Sequence, residues 1–179
     1  MADWRNFYIR KMGTGNPTKE SVLDFGIWCK TIPFKIMDKV KQPPSRQWHD
    51  EHGTEEFIPT GGLLLDAYTM KVVFGCKKMK AMRDGSTTIP AINDVRSKVA
   101  TFIEYLRTSG MLMLYSSYTG IGRQKVRLDS INDNAKWKNE GGQQWLIFEV
   151  VFKVNDPFTN ITASDMGLTG SSSSSSSSN

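Results

Sequence analysis

The chain has 179 residues, 39% of them hydrophobic and 11% aromatic, which suits one domain with a real core and excludes an intrinsically disordered chain. Its formal charge is only +5, and its densest basic run, Lys77, Lys78, Lys80 and Arg83, is broken by Met79, Ala81 and Met82. That is a solvated loop rather than the concentrated stripe of a dedicated nucleic-acid binder, and no stretch approaches the roughly 18 apolar residues of a membrane span.

Residues 1–21 are mixed and read as an N-terminal arm. FYI (7–9) has strand character, and GTGNPTKES (13–21) is turn chemistry. No apolar run here is long enough for a signal peptide, so the expected site of synthesis is a cytoplasm. VLDFGIWCKTIPFKIM (22–37) is apolar, with Gly26 and Pro33 inside it, and predicts two short strands with a kink at Pro33. KQPPSRQWHDEHGTEEFIPTGG (41–62) is a long polar loop punctuated by Pro43, Pro44, Pro59, Gly61 and Gly62. Loops of that length in compact domains are functional or interface-forming.

LLLDAYTMKVVFGCK (63–77) predicts a long strand whose apolar face carries Leu64, Tyr68, Met70, Val72, Phe74 and Cys76. The stretch 77–90 reads as a second polar loop. A helix is expected over about 91–109, because Ile92, Val95, Val99, Phe102, Ile103 and Leu106 draw one stripe at a period near 3.6. Pro90 suits its start and Gly110 its stop. MLMLYSSY (111–118) and KVRLDSIN (125–132) predict strands joined by TGIGRQ, and 133–143 reads as a loop that turns at Gly141 and Gly142. QWLIFEVVFKV (144–154) is the strongest strand, with Leu146, Phe148, Val150, Phe152 and Val154 on one face. Residues 158–179 end in eight serines, Ser171–Ser178, which have no apolar surface to repay ordering and read as a flexible tail. The expected class is α+β, mainly β: an antiparallel β-sandwich over 22–157 with one flanking amphipathic helix.

Both histidines, His49 and His52, lie in the 41–62 loop beside Asp50, Glu51, Glu55 and Glu56. Zinc needs three or four ligands. No third histidine exists, and Cys29 and Cys76 sit in separate strand-like runs, so no metal, cofactor or catalytic residue is assigned. The two cysteines form no CxxC pair and read as buried thiols, with a single disulfide as the alternative. Arg123, Lys125 and Arg127 alternate along a predicted strand, either as a solvated face or as a surface for an acidic partner. Trp145 is expected in the core or as sheet cover. Trp48 and Trp137, in polar segments, either anchor those segments or meet a partner.

The stretch Trp48-His49-Asp50-Glu51-His52-Gly53-Thr54-Glu55-Glu56-Phe57-Ile58-Pro59 resembles a W-x-D-x-x-G-x-x-x-aromatic-aliphatic-P segment of bacteriophage tail proteins of the distal tail or baseplate-ring class. FGIWCKTIPF before it, and the strand, helix, GMLMLYSSYTGIGRQKVRL and WLIFEVVFKVNDP after it, follow the order of such proteins over about residues 22–157. The resemblance implies a virion structural protein of the tail, assembled in the host cytoplasm. Its partners would be identical subunits in a hexameric ring and other tail proteins such as tube, hub or tape-measure protein, with no membrane and no specific nucleic acid. Loops 41–62, 77–90 and 133–143 are the candidate contacts. The alternatives are a metal-dependent hydrolase using His49, Asp50 and His52, and a nucleic-acid or carbohydrate binding module.

Overall fold

A computed structural model describes residues 4–168 except 31, 37, 38, 51, 85, 86 and 141. The protein is mainly β and sandwich-like, built on one antiparallel sheet with a single helix on one face. In chain order the strands are β1 (Tyr8–Lys11), β2 (Lys19–Glu20), β3 (Trp28–Cys29), β4 (Ser45–Arg46), β5 (Glu55–Glu56), β6 (Tyr68–Lys77), β7 (Met82–Asp84), β8 (Thr87–Ile89), β9 (Leu112–Ser116), β10 (Ile121–Glu140) and β11 (Gln143–Val154). The main sheet runs β2-β1-β9-β10-β11-β6-β3, while β4–β5 and β7–β8 are separate two-stranded ribbons.

Period-two alternation builds the core. Tyr68, Met70, Val72, Phe74 and Cys76 of β6 face inward, and each lies opposite Val154, Phe152, Val150, Phe148 or Leu146 of β11. The helix α1 (Val95–Thr108) covers this face with Val95, Val99, Phe102 and Leu106, its residues at helical spacing. Phe102 is fully buried, and its ring meets those of Phe7, Phe25, Phe74 and Phe148 at 5.3–6.4 Å. Asp94 caps the helix by accepting hydrogen bonds from the Arg96 and Ser97 backbone N–H groups at 3.1 and 3.3 Å. Gly110, at φ 65°, follows the last turn and lets the chain leave in a left-handed conformation.

Among the described residues, the opposite face is covered at its two ends. Over β1 and β9, Ile161 and Met166 pack on Tyr115, with Tyr8 and Met113 around them. Gly122 makes that approach feasible, since a Cβ there would stand 2.3 Å from Ile161 and 2.9 Å from its carbonyl oxygen. At the other end Trp4 stacks on Trp145 at 4.6 Å, and Trp28 meets Trp145 edge-on at 5.5 Å. Glu140 ties this cluster together. It accepts from the Trp4 indole at 2.9 Å and pairs with Lys30 and Lys138 at 3.2 and 3.1 Å. Lys138 first, and then the indole, draw its carboxyl down to about 2.

Several local expectations change. Residues 8–11 and 19–20 of the expected 1–21 arm are strands of the main sheet, because β1 finds a partner in β9 that lies some hundred residues away. Residues 21–25 form a turn of π-helix closed by Gly26 at φ 69°, so the first of the two short strands expected in 22–37 is absent and only Trp28–Cys29 pairs. The 77–90 loop contains the β7–β8 ribbon. The helix starts at Asp94 rather than Pro90, one turn later. The 133–143 loop is the outer part of a hairpin: β10 continues to Glu140, because β11 offers partners from Lys136 to Glu140 beyond a bulge at 133–135. The buried Ile161 and Met166 belong to the fold, although they lie in the expected 158–179 tail. Ser171–Ser178 lie outside the described residues.

Cys29 and Cys76 are free and buried, on strands β3 and β6. Burial pushes both thiols up to about 12. Neither is expected to react with iodoacetamide at pH 8 in the native state, whereas both react in denaturant; rapid native alkylation monitored by mass spectrometry would contradict the burial. The sign of the linkage follows. The unfolded thiols ionise near pH 9 and the folded ones do not, so their contribution is complete below pH 9 and is lost as pH rises toward 12.

Candidate functional site

The segment expected as a polar loop at 41–62 is a β-arm. Val40 bridges Leu65, Lys41 donates to Leu64 O at 2.7 Å, and Asp66 donates to Lys39 O at 2.9 Å. Further out β4 pairs with β5, and the Phe57 N–H donates to Pro44 O at 2.9 Å. Backbone pairing within the arm therefore satisfies groups that a coil would leave to water. Pro43, Pro44 and Pro59 stiffen its two limbs by fixing φ.

Every described residue from 44 to 58 is exposed. The arm nonetheless carries large apolar side chains. Phe57 is 68% exposed, Leu64 60%, Ile58 55% and Leu63 49%, with Val40 and Trp48 also open to solvent. A groove of about 280 Å³ runs between its limbs, lined by Pro43, Pro44, Phe57, Pro59, Leu63 and Leu64 with Lys41 and Gln42 at the rim. Scattered exposed hydrophobics are ordinary; a contiguous set on a projecting arm marks a contact surface.

The tip holds the residues with the most chemistry in the sequence. His49 and His52 are exposed there, as are Asp50, Glu55 and Glu56. Trp48 is half-exposed; its indole donates to Glu55 at 3.2 Å and the Arg46 guanidinium lies 3.5 Å over its ring. Among the described residues no three or more His, Cys, Asp or Glu side chains are grouped to hold a metal. Glu51 lies outside the described residues.

The arm is clasped at its root by a residue that the sequence pattern misplaced. Arg123 was expected to share one face with Lys125 and Arg127. Lys125 adopts φ 51°, and the β9–β10 register shifts between Arg123 and Val126, so the alternation breaks there. Arg123 turns inward and is 4% exposed. Its guanidinium donates to Lys35 O at 2.8 Å, Asn160 Oδ1 at 3.2 Å and Gly122 O at 3.0 Å. The neighbouring Tyr68 hydroxyl accepts from the Lys35 backbone N–H at 3.3 Å. An Arg123→Ala variant should lose about 2–3 kcal/mol, from hydrogen bonds to a charged donor and orphaned carbonyls. Amide exchange at residues 35–41 should accelerate with it; unchanged exchange there would show that the arm is held by other contacts.

The other two candidate loops are also ribbons. Trp137, 49% exposed, borders a cavity with Lys78, Asn93, Asp94, Arg96 and Gln144 at the helix start. From Arg127 to Glu140, β10 pairs with β11 on one side and with no strand on the other among the described residues. Trp145, as expected, is sheet cover.

No described helix is long and apolar enough to cross a membrane. No protein-family profile matches the chain, and no curated protein is significantly similar to it.

Proposed function

We propose that the chain is a structural subunit of a bacteriophage tail, a distal tail, baseplate-ring or tube component. It assembles into a ring, a hexamer on the resemblance of residues 22–157, and joins neighbouring tail proteins in the virion. The observation that carries the reading is the arm: a proline-stiffened ribbon whose apolar side chains stand exposed among the described residues. A preorganised arm loses less entropy on docking than a flexible loop. A contact between one subunit's arm and a different surface of the next is heterologous, and such contacts close into rings or run on as tubes.

The histidines and carboxylates of the tip are then polar contact residues, and no reacting substrate is invoked. Electron microscopy of the purified chain at increasing concentration tests the proposal. Rings or short tubes are expected. A protein that stays monomeric at every concentration, alone and with extracted tail tubes, would count against it.

A further inference from the structure

The arm needs a receiving surface on the next subunit, and the uncovered middle of the sheet has matching charge. Across β10, β11 and β6 this face presents, row by row, Arg127–Lys153–Thr69, Ser130–Val151–Lys71 and Asn132–Glu149–Val73, and then Lys136–Ile147–Gly75 and Lys138–Trp145–Lys77, where Trp4 covers Gly75 and Trp145 and leaves the β10 lysines at the edge. Cations dominate it. Asp129, Glu149 and, beyond the last row, Glu140 are its carboxylates, and all three are engaged: Asp129 by Arg127, Glu149 by Asn132 and Lys71, Glu140 by Lys30, Lys138 and Trp4.

Arg127 lies directly opposite Lys153 in the ladder, and Asp129 balances Arg127 at 2.9 Å, leaving Lys153 as the cation of that pair still open to an anion. Lys136 and Lys153 make no ion pair among the described residues. Between the charges Val73 and Ile147 remain partly exposed, while Val151 is buried among its neighbours, so the strip offers apolar contact at these two side chains as well as charge.

The arm tip is the complement. From residue 47 to residue 58 the chain has four carboxylates, Asp50, Glu51, Glu55 and Glu56, and no lysine or arginine. The rest of the tip is Gln47, Trp48, Gly53, Thr54, Phe57 and Ile58 with the two histidines, and Arg46, stacked on Trp48 opposite Glu55, is the cation at its base.

We propose that the acidic tip of the arm docks on the basic outer face of β10, β11 and β6 of a second copy of this chain. The inference rests on the ring reading and names the surface that closes it. A second copy is favoured over a nucleic acid because one chain holds both halves of the match, and the aliphatic centre of the strip suits Phe57 and Ile58 better than a phosphate backbone. Docking supplies carboxylates to Lys136 and Lys153 and fixes the register of one subunit against the next, the usual contribution of charge to an interface.

The test uses the full chain under conditions where it assembles. A mixture of isotopically light and heavy protein is treated with a carbodiimide that joins carboxylates to lysines, and mixed-isotope links from Glu55 or Glu56 to Lys136 or Lys153 are expected. E55K/E56K and K136E/K153E should each weaken association by about tenfold or more, and the two together should recover most of it. Raising salt should weaken the wild type in parallel. Thermal melts of the variants confirm that each still folds; the arm pair lies on exposed residues away from the core.

Assembly with neither the cross-links nor an effect of the two charge reversals would overturn the docking while leaving the ring reading intact. Absence of assembly in every variant and in the wild type would overturn both. Unchanged assembly in K136E/K153E, together with loss of salt-sensitive binding to duplex DNA, would assign the face to nucleic acid instead.

Discussion

Replacing Phe57 and Leu64 together by aspartate is expected to abolish rings while leaving the fold unchanged. Each side chain is mostly exposed in the isolated subunit, so its removal exposes no core and leaves no cavity. The effect on folding should stay within about 0.5 kcal/mol, as for other surface substitutions. In the assembled state both side chains are buried on the proposed reading. Burying a Leu or Phe side chain is worth about 1.5–3 kcal/mol, and an aspartate in its place adds the cost of an unpaired charge. Losing two such contacts per interface amounts to a weakening of about a hundredfold or more. Sedimentation velocity with negative-stain imaging measures it. Intact rings formed by the double variant would remove the arm from the interface, whatever its exposure suggests.

The largest stability effect is expected at Phe102. The ring is fully buried between helix and sheet and meets four other aromatic rings, contributed by the N-terminal segment, the π-helical turn, β6 and β11. Those aromatics are fixed by backbone pairing on three sides, so the site cannot collapse around a small residue. Phe102→Ala should cost about 3–5 kcal/mol, from lost transfer energy plus the cavity left behind. Against a total of about 5–15 kcal/mol for a domain, that leaves a protein that unfolds readily on warming. Urea denaturation followed by tryptophan fluorescence gives the number. Glu104→Ala on the same helix is the control: Glu104 pairs with Arg107 at 2.7 Å on the exposed face, where solvent screens the pair and its loss should hardly move the transition. A loss at Phe102 no larger than at Glu104 would mean that the aromatic cluster is not the centre of the core.

The two predictions separate what folds the chain from what it presents. Phe57 and Phe102 are the same residue type, and nothing in their immediate composition says that one is buried and the other displayed. Phe102 belongs to a stripe at helical spacing, so the partner it needs is implied by the pattern. Phe57 follows two glutamates and precedes Ile58 and Pro59, with no period to place it on a covered face. Its exposure is visible only once the arm has been paired with itself and nothing else.

Local pattern by itself determined the elements whose periodicity is sustained: the helix stripe from Val95 to Leu106, the inward faces of β6 and β11, and the stop at Gly110. Alternation and 3.6-residue spacing are properties of neighbouring residues, so they survive without a fold. Tertiary structure decided the rest. Tyr8–Lys11 became a strand because β9 has an edge to offer it, and 136–140 became a strand because β11 resumes the pairing past the bulge at 133–135. Arg123 went inside because one left-handed residue, Lys125, shifts the register and reverses the face on which it falls. The basic strip was equally invisible: Lys71, Lys136 and Lys153 are far apart in the chain and meet only across three strands in register. Pairing over such separations depends on which backbone edges remain free when the core closes, and that is a property of the whole chain rather than of any window within it.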